Sequence, residues 1–115
     1  MLFICYPKCT TCQKAEKWLT EKGVIFEKRD IKLDNPTYDE LKEWYEKSGL
    51  DIKRFFNTSG LLYKSLELKE KLPTMSIEEK LRLLSTDGML VKRPIVVKEN
   101  SVLIGFKEKE WEETL

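Results

Sequence analysis

Histidine is absent from this chain, and its 115 residues include only three cysteines, four prolines and five glycines. A structural zinc site wants four nitrogen or sulfur ligands, so three thiols without an imidazole fall short and no metal is expected. Charge of one sign is also missing: 21 Lys and Arg stand against 20 Asp and Glu, a formal net charge of +1. Nothing in that balance attracts nucleic acid or an anionic membrane surface. No apolar run is long enough to span a bilayer, and no basic leader with a small-residue cleavage site opens the chain, so the expected location is cytoplasmic. Repeats, low-complexity tracts and Ser/Gly linkers are lacking too, and the length fits one domain, residues 1–115, with one modest core. In a reducing compartment so few cysteines read as catalytic, redox-sensing or buried, not as a disulfide framework.

What the sequence does have is a pair of thiols at an informative place. The run Cys9-Thr10-Thr11-Cys12 lies where the apolar segment Met1-Leu2-Phe3-Ile4-Cys5-Tyr6 gives way to a helix-patterned one, Gln13 to Glu21. A cysteine at a helix start meets unpaired backbone N–H groups and the positive end of the helix dipole, both of which favour thiolate over thiol. Thr10, Thr11 and Cys12 supply amides able to cradle an anion or the thiolate itself, and Lys8 adds a neighbouring cation. Cys12 stands one turn further in, where a second thiol can attack a mixed disulfide formed on Cys9. Cys5, inside the strand, is expected to be inert packing, because apolar burial raises a thiol pKa. Cysteines 5, 9 and 12 also spell CxxxCxxC, the spacing by which radical enzymes hold an iron–sulfur cluster. That use needs all three sulfurs on a flexible loop, which a strand position for Cys5 denies.

The rest of the chain changes pattern element by element. Ala15, Trp18 and Leu19 share one helical face, and Gly23 is placed to stop that helix. Val24 to Asp30 reads as a short strand. After the Asn35-Pro36 turn, Thr37 with Glu40 makes a capping-box signature ahead of the face Tyr38, Leu41, Trp44 and Tyr45, and Ser76 with Glu79 repeats it ahead of Ile77, Leu81 and Leu84. Pro94 to Val97 and Val102 to Ile104 form a hairpin pattern, and Trp111 and Leu115 sit at helical spacing in the tail. Thr58 and Ser59 suit either a helix N-cap or a site contact. The order predicts an α/β protein with a four-stranded mixed sheet flanked by helices and a helical insertion between the second and third strands.

Four segments, Tyr6-Pro7-Lys8-Cys9-Thr10-Thr11-Cys12, Phe56-Asn57-Thr58-Ser59-Gly60, Arg93-Pro94-Ile95-Val96-Val97 and Gly105-Phe106, carry a resemblance over nearly the whole chain. The sequence resembles the arsenate reductase (ArsC) and Spx family, a branch of the thioredoxin-like fold. The resemblance implies that Cys9 is the nucleophile and that Arg93 and Pro94 lie beside it with Pro94 in the cis form, which an X-Pro bond reaches at low cost. So placed, Arg93 would lower the Cys9 pKa or grip an oxyanion or carboxylate. Arsenate reductases of this type carry three arginines around the nucleophile. Here Ser59 stands at the place of the central one and Phe106 or Lys107 at the last, which leaves Arg93 and reduces complementarity to a dianion. The second cysteine is the pattern of the Spx-like branch.

The resemblance thus implies a thiol–disulfide oxidoreductase in which Cys9 attacks and Cys12 resolves, with no bound cofactor and with glutathione, glutaredoxin or thioredoxin as thiol donor. One alternative is an arsenate reductase coupled to glutaredoxin or thioredoxin. Another is a redox-sensing regulator like Spx, which would bind the C-terminal domain of the RNA polymerase α subunit without touching nucleic acid directly, with Ser48 to Arg54 as the candidate surface. The short tail after the last helical segment favours the enzyme, and a monomer is expected.

Overall fold

The computed structural model describes Met1–Leu115. Strands β1 (Leu2–Cys5), β2 (Glu27–Asp30), β3 (Ile95–Val97) and β4 (Val102–Ile104) form a single sheet in the order β2-β1-β3-β4. β1 runs parallel to β2 and antiparallel to β3, and β3 and β4 make the hairpin, so the sheet is mixed. Helices α2 (Tyr38–Ser48), α3 (Leu61–Ser65), α4 (Leu68–Lys71) and α5 (Ile77–Ser85) form the insertion between β2 and β3. Helices α1 (Thr10–Glu21) and α6 (Glu108–Thr114) complete the fold, which is thioredoxin-like.

Side chains alternate across the strands, so each strand feeds two cores. Phe3, Cys5, Val96 and Leu103 join Cys12, Ala15, Trp18 and Leu19 of α1 and Trp111 of α6. Ile4, Ile95, Val102 and Ile104 face the other way, onto Leu41 and Trp44 of α2 and Leu81 and Leu84 of α5. The first core is small and aromatic: Trp18, Phe106 and Trp111 stack edge to face, and the Trp111 indole N–H donates to the Gly105 carbonyl at 3.1 Å.

Both capping boxes form as the sequence predicts. The Thr37 hydroxyl accepts from the Glu40 amide while Glu40 reaches back to the Thr37 amide, and Ser76 and Glu79 repeat the arrangement. Glu40 also takes a bidentate pair from Arg29 of β2, at 2.7 and 2.9 Å. Arg29 further donates to the carbonyls of Asp34 and Asn35, so one guanidinium pins strand, turn and helix together. Three expectations need correcting. β2 begins at Glu27, not Val24, because Gly23, at φ +70°, turns the chain so that the Val24 amide still donates to Leu19, and sheet bonding starts only where Glu27 donates to Met1. Ile77 is 41% exposed, since it is the first residue of α5 and lies beyond the reach of the core that holds Leu81 and Leu84. Neither Thr58 nor Ser59 caps α3, whose N-cap is Gly60.

Candidate active site

The turn Tyr6–Cys9, closed by the Cys9 amide donating to the Tyr6 carbonyl at 2.9 Å, delivers the chain from β1 into α1. Cys9 becomes the N-cap of α1 with extended backbone angles (φ −85°, ψ 123°), no side chain caps the helix by hydrogen bond, and no acidic residue lies in its first turn. The open amides are thus available to sulfur. The N–H groups of Cys12 and Thr11, the Cys12 thiol and the Arg93 guanidinium all favour the ionised form of Cys9. Partial burial works against ionisation of Cys9, but these donors outweigh it and hold the thiol below its ordinary pKa.

Cys12 behaves in the opposite way. Its sulfur is buried in the α1/α6 core and accepts a hydrogen bond from the Tyr6 amide at 3.4 Å. Burial, reinforced by the nearby Cys9 charge, pushes its thiol up to about 12. Cys5, buried in the same core, rises to about 11 through desolvation. All three thiols are free, and no group of three or more Cys, Asp or Glu side chains converges as metal ligands would. The surroundings therefore favour ionisation at one sulfur and oppose it at the other two, although two of the three stand within a single helical turn.

Arg93 is supplied by the segment entering β3, and the Arg93–Pro94 bond is cis. Its guanidinium carbon sits 5.2 Å from the centroid of the Tyr6 ring, so a cation–π contact steadies it across β1. Its Nη1 is buried and makes no hydrogen bond, which leaves donor capacity for an anion.

A cleft of about 870 Å³ opens beside Cys9. Of the residues singled out in the sequence, Cys9, Thr11, Arg93, Ser59, Phe106 and Lys107 line it. Cys12 and Pro94 are buried outside that lining, and Lys8 and Thr10 are exposed and face solvent away from it. Asn57 lines the wall, where the Ser59 hydroxyl donates to its Oδ1 at 3.3 Å, and a Cβ at Gly60 would come within 2.6 Å of its amide nitrogen, so a side chain there would displace Asn57.

Two cations of the lining were not read as site residues: Arg54, assigned in the sequence only to a candidate partner surface, and Lys92. Antiparallel pairing of Phe56 with Val91, with the Lys92 amide donating to Phe55 and the Asn57 amide donating to Leu90, both at 2.8 Å, brings them together. Arg54 and Lys92 lie 38 residues apart in sequence (92 − 54), and no local pattern announces a pairing of that kind. The only available signal was the basic doublet Lys92-Arg93. With them the cleft carries four cations, Arg54, Lys92, Arg93 and Lys107, and no carboxylate. The expectation that arginine loss leaves Arg93 alone is thereby revised: positive charge is present, supplied from other positions.

The chain is 53% identical over 113 residues to YusI of Bacillus subtilis, described as uncharacterised, covering 98% of this chain and 96% of that one. It is 31% identical over 110 residues to the regulatory protein MgsR of the same organism, covering 96% of this chain and 86% of MgsR. Among solved structures, an ArsC-family-related protein from Bacteroides fragilis superposes with a TM-score of 0.96 at 57% identity, covering 99% of this chain and 96% of that one. The ArsC family model matches residues 5–114. The chain belongs to the ArsC family.

Proposed function

We propose that this protein is a thiol–disulfide oxidoreductase. The observation that carries the reading is the opposite setting of two thiols on one helical turn: Cys9 lines the cleft at the uncapped start of α1, where its pKa is lowered, and Cys12 is buried in the core, which pushes its thiol up to about 12. In the first step the Cys9 thiolate attacks one sulfur of a disulfide RS–SR, forming Cys9–S–S–R and releasing RS⁻, which takes up a proton. In the second, Cys12 gives up its proton and attacks Cys9 Sγ, forming the Cys9–Cys12 disulfide and releasing the second thiol. Two electrons pass from protein to substrate, and a donor thiol (glutathione, glutaredoxin or thioredoxin) returns them. A protonated, sheltered Cys12 suits this order, because it does not compete for the substrate and acts only once a mixed disulfide stands on Cys9.

Alkylation of the reduced protein across pH tests the assignment. Cys9 should be labelled first, with a midpoint below the free-thiol value of about 8.5, and Cys12 and Cys5 only on unfolding. Cys12→Ser should accumulate a mixed disulfide on Cys9, visible by intact mass, and Cys9→Ser should abolish exchange. Labelling of Cys12 ahead of Cys9, or turnover without a trapped species in Cys12→Ser, would reject the two-thiol mechanism. Robust arsenate turnover with glutathione and glutaredoxin would move the substrate from a disulfide to the oxyanion.

Kinship to MgsR, named a regulatory protein, supports a second reading in which the same pair is a redox switch and the output is binding to the RNA polymerase α subunit. A pull-down with the C-terminal domain of that subunit in both redox states separates the two; no binding in either state leaves the enzyme.

A further inference from the structure

The protein has four arginines, at positions 29, 54, 82 and 93. Two are spent on carboxylates: Arg29 on Glu40 and Asp34, and Arg82 on Glu78. The other two, Arg54 and Arg93, line the cleft beside Cys9, and neither they nor Lys92 and Lys107 there take part in a salt bridge. Cations gathered in one concavity repel one another, and a chain of net charge +1 has 20 carboxylates with which it could have quenched them. Their grouping around an ionisable sulfur creates a field that draws in anions and raises their local concentration.

Size and lining narrow the ligand. About 870 Å³ is near the upper end of small-molecule sites and larger than a single tetrahedral oxyanion needs. The lip is apolar, with Leu61 86% exposed and Phe106 half-buried, while the Asn57 side-chain amide in the lining offers a donor and an acceptor to a peptide group. Arg54 and Lys92 come from two segments joined by the Phe56–Val91 bridge and line the same cleft as Gly60 and Leu61, and Arg93 and Cys9 line it too. A ligand that satisfies all of this has a disulfide to meet Cys9, a short peptide frame, and carboxylates for the outlying cations.

Resting on the oxidoreductase reading and deepening it, we infer that the cleft selects small peptide disulfides bearing carboxylates, with Arg54 and Lys92 as the specificity-determining pair. The reaction is the exchange already described, with RS–SR being such a disulfide and both halves leaving as thiols. Arg93 is excluded from the pair because it favours the Cys9 thiolate and so serves every substrate alike.

Oxidation of the reduced protein by net-anionic glutathione disulfide, neutral hydroxyethyl disulfide and cationic cystamine, each rate divided by that of a free low-molecular-weight thiol with the same reagent, tests this directly. The anionic reagent should lead the cationic one by about tenfold or more at low ionic strength, and salt should shrink the gap. In the doubly reversed variant Arg54→Glu/Lys92→Glu the ratio should fall to one or invert. A change in Cys9 ionisation alters all three rates together and cancels in the ratio. Binding of the unreactive thioether S-methylglutathione, followed by NMR, gives an independent reading, and its affinity should weaken by about tenfold in the same variant. Equal normalised rates for the three reagents, with no salt dependence in the unmodified protein, would overturn the inference and leave the oxidoreductase standing. Charge-dependent binding of S-methylglutathione without exchange of any disulfide would do the reverse.

Discussion

Helices α2 and α5 begin in the same way, and α1 begins in another. At α2 and α5 a hydroxyl and a glutamate close the first turn reciprocally, and two acidic residues sit in that turn. At α1 there is no cap from a side chain and no acid, only Cys9, whose thiolate the amides of Thr11 and Cys12 favour. The physics of the helix end is the same in all three: unpaired donors and the positive pole of the dipole call for negative charge. Two ends answer with permanent carboxylates and are finished as structure. The third has no such carboxylate, so the unmet demand of a helix terminus falls on a thiol and lowers its pKa. Cys12, three residues on, shows that residue type is not enough, since the same thiol facing the core is pushed the opposite way.

If the finished ends are structural, disabling one should cost stability and leave the sulfur alone. Glu40→Ala should have the greatest effect, because it removes both the reciprocal cap and the carboxylate paired with Arg29, whose side chain is only 14% exposed. A loss of about 2–3 kcal/mol is expected in urea unfolding, after discounting the pair for its partial exposure. The sign of the pH dependence follows from Glu40, whose pKa the Arg29 bonds hold down at about 2, below the ordinary 4.5. Its contribution is complete above the unfolded carboxylate value and is lost as pH falls from about 4.5 toward 2. Glu40→Ala should therefore unfold with a shallower acid dependence than the parent protein. An unchanged acid limb would remove the Arg29–Glu40 pair from the account of this end.

How much of this was legible in the chain tracks how local the cause is. Capping boxes, the helix faces of Leu41, Trp44 and Leu81, the hairpin around Lys98-Glu99-Asn100-Ser101 and the strand–helix setting of Cys9 are written within a few residues, and all appear in the structure. The bounds of β2 were not readable, because Glu27-Lys28-Arg29-Asp30 is an all-charged edge strand held by pairing with β1, while the more strand-like Val24-Ile25-Phe26 is diverted by the turn at Gly23. The site splits along the same line. Cys9 was found from its setting and Arg93 through family resemblance, but Arg54 and Lys92 meet only through a tertiary bridge between Phe56 and Val91. Lys8 shows the limit of adjacency: next to Cys9 in sequence, it is exposed and outside the cleft lining, whereas Arg93, from the far end of the chain, is part of it.

Making α1 resemble its siblings should cost reactivity instead. Thr11→Asp places a carboxylate in the first turn, at an exposed position beside the cleft, where it satisfies the dipole and repels the thiolate. A charge about 6 Å away at an effective dielectric of about 40–60, between that of a protein surface and bulk water, is worth roughly 1–1.4 kcal/mol, so the alkylation midpoint of Cys9 should rise and its rate at neutral pH fall by about five- to tenfold. Stability should hold or rise slightly. A variant that alkylates as fast as the parent would mean that the amides of α1, and not the absence of competing charge, set the ionisation of Cys9.

Thr37→Ala carries the smallest change and separates the two parts of the α2 cap. It deletes the acceptor for the Glu40 amide, at 3.2 Å, but spares the Glu40 carboxylate, which keeps Arg29 and the Thr37 amide, at 3.0 Å. The expected cost is about 1 kcal/mol, the usual value for replacing a Thr N-cap by Ala, and the melting temperature of a domain this size should fall by about 4 °C. Because the carboxylate and its guanidinium remain, the acid limb should keep the steepness that Glu40→Ala loses. Cys9 alkylation in Thr37→Ala should match the parent, since α2 lies on the sheet face opposite α1. A loss as large as that of Glu40→Ala would show that the hydroxyl orients the carboxylate for Arg29, making the cap and the ion pair one cooperative unit and not two additive ones.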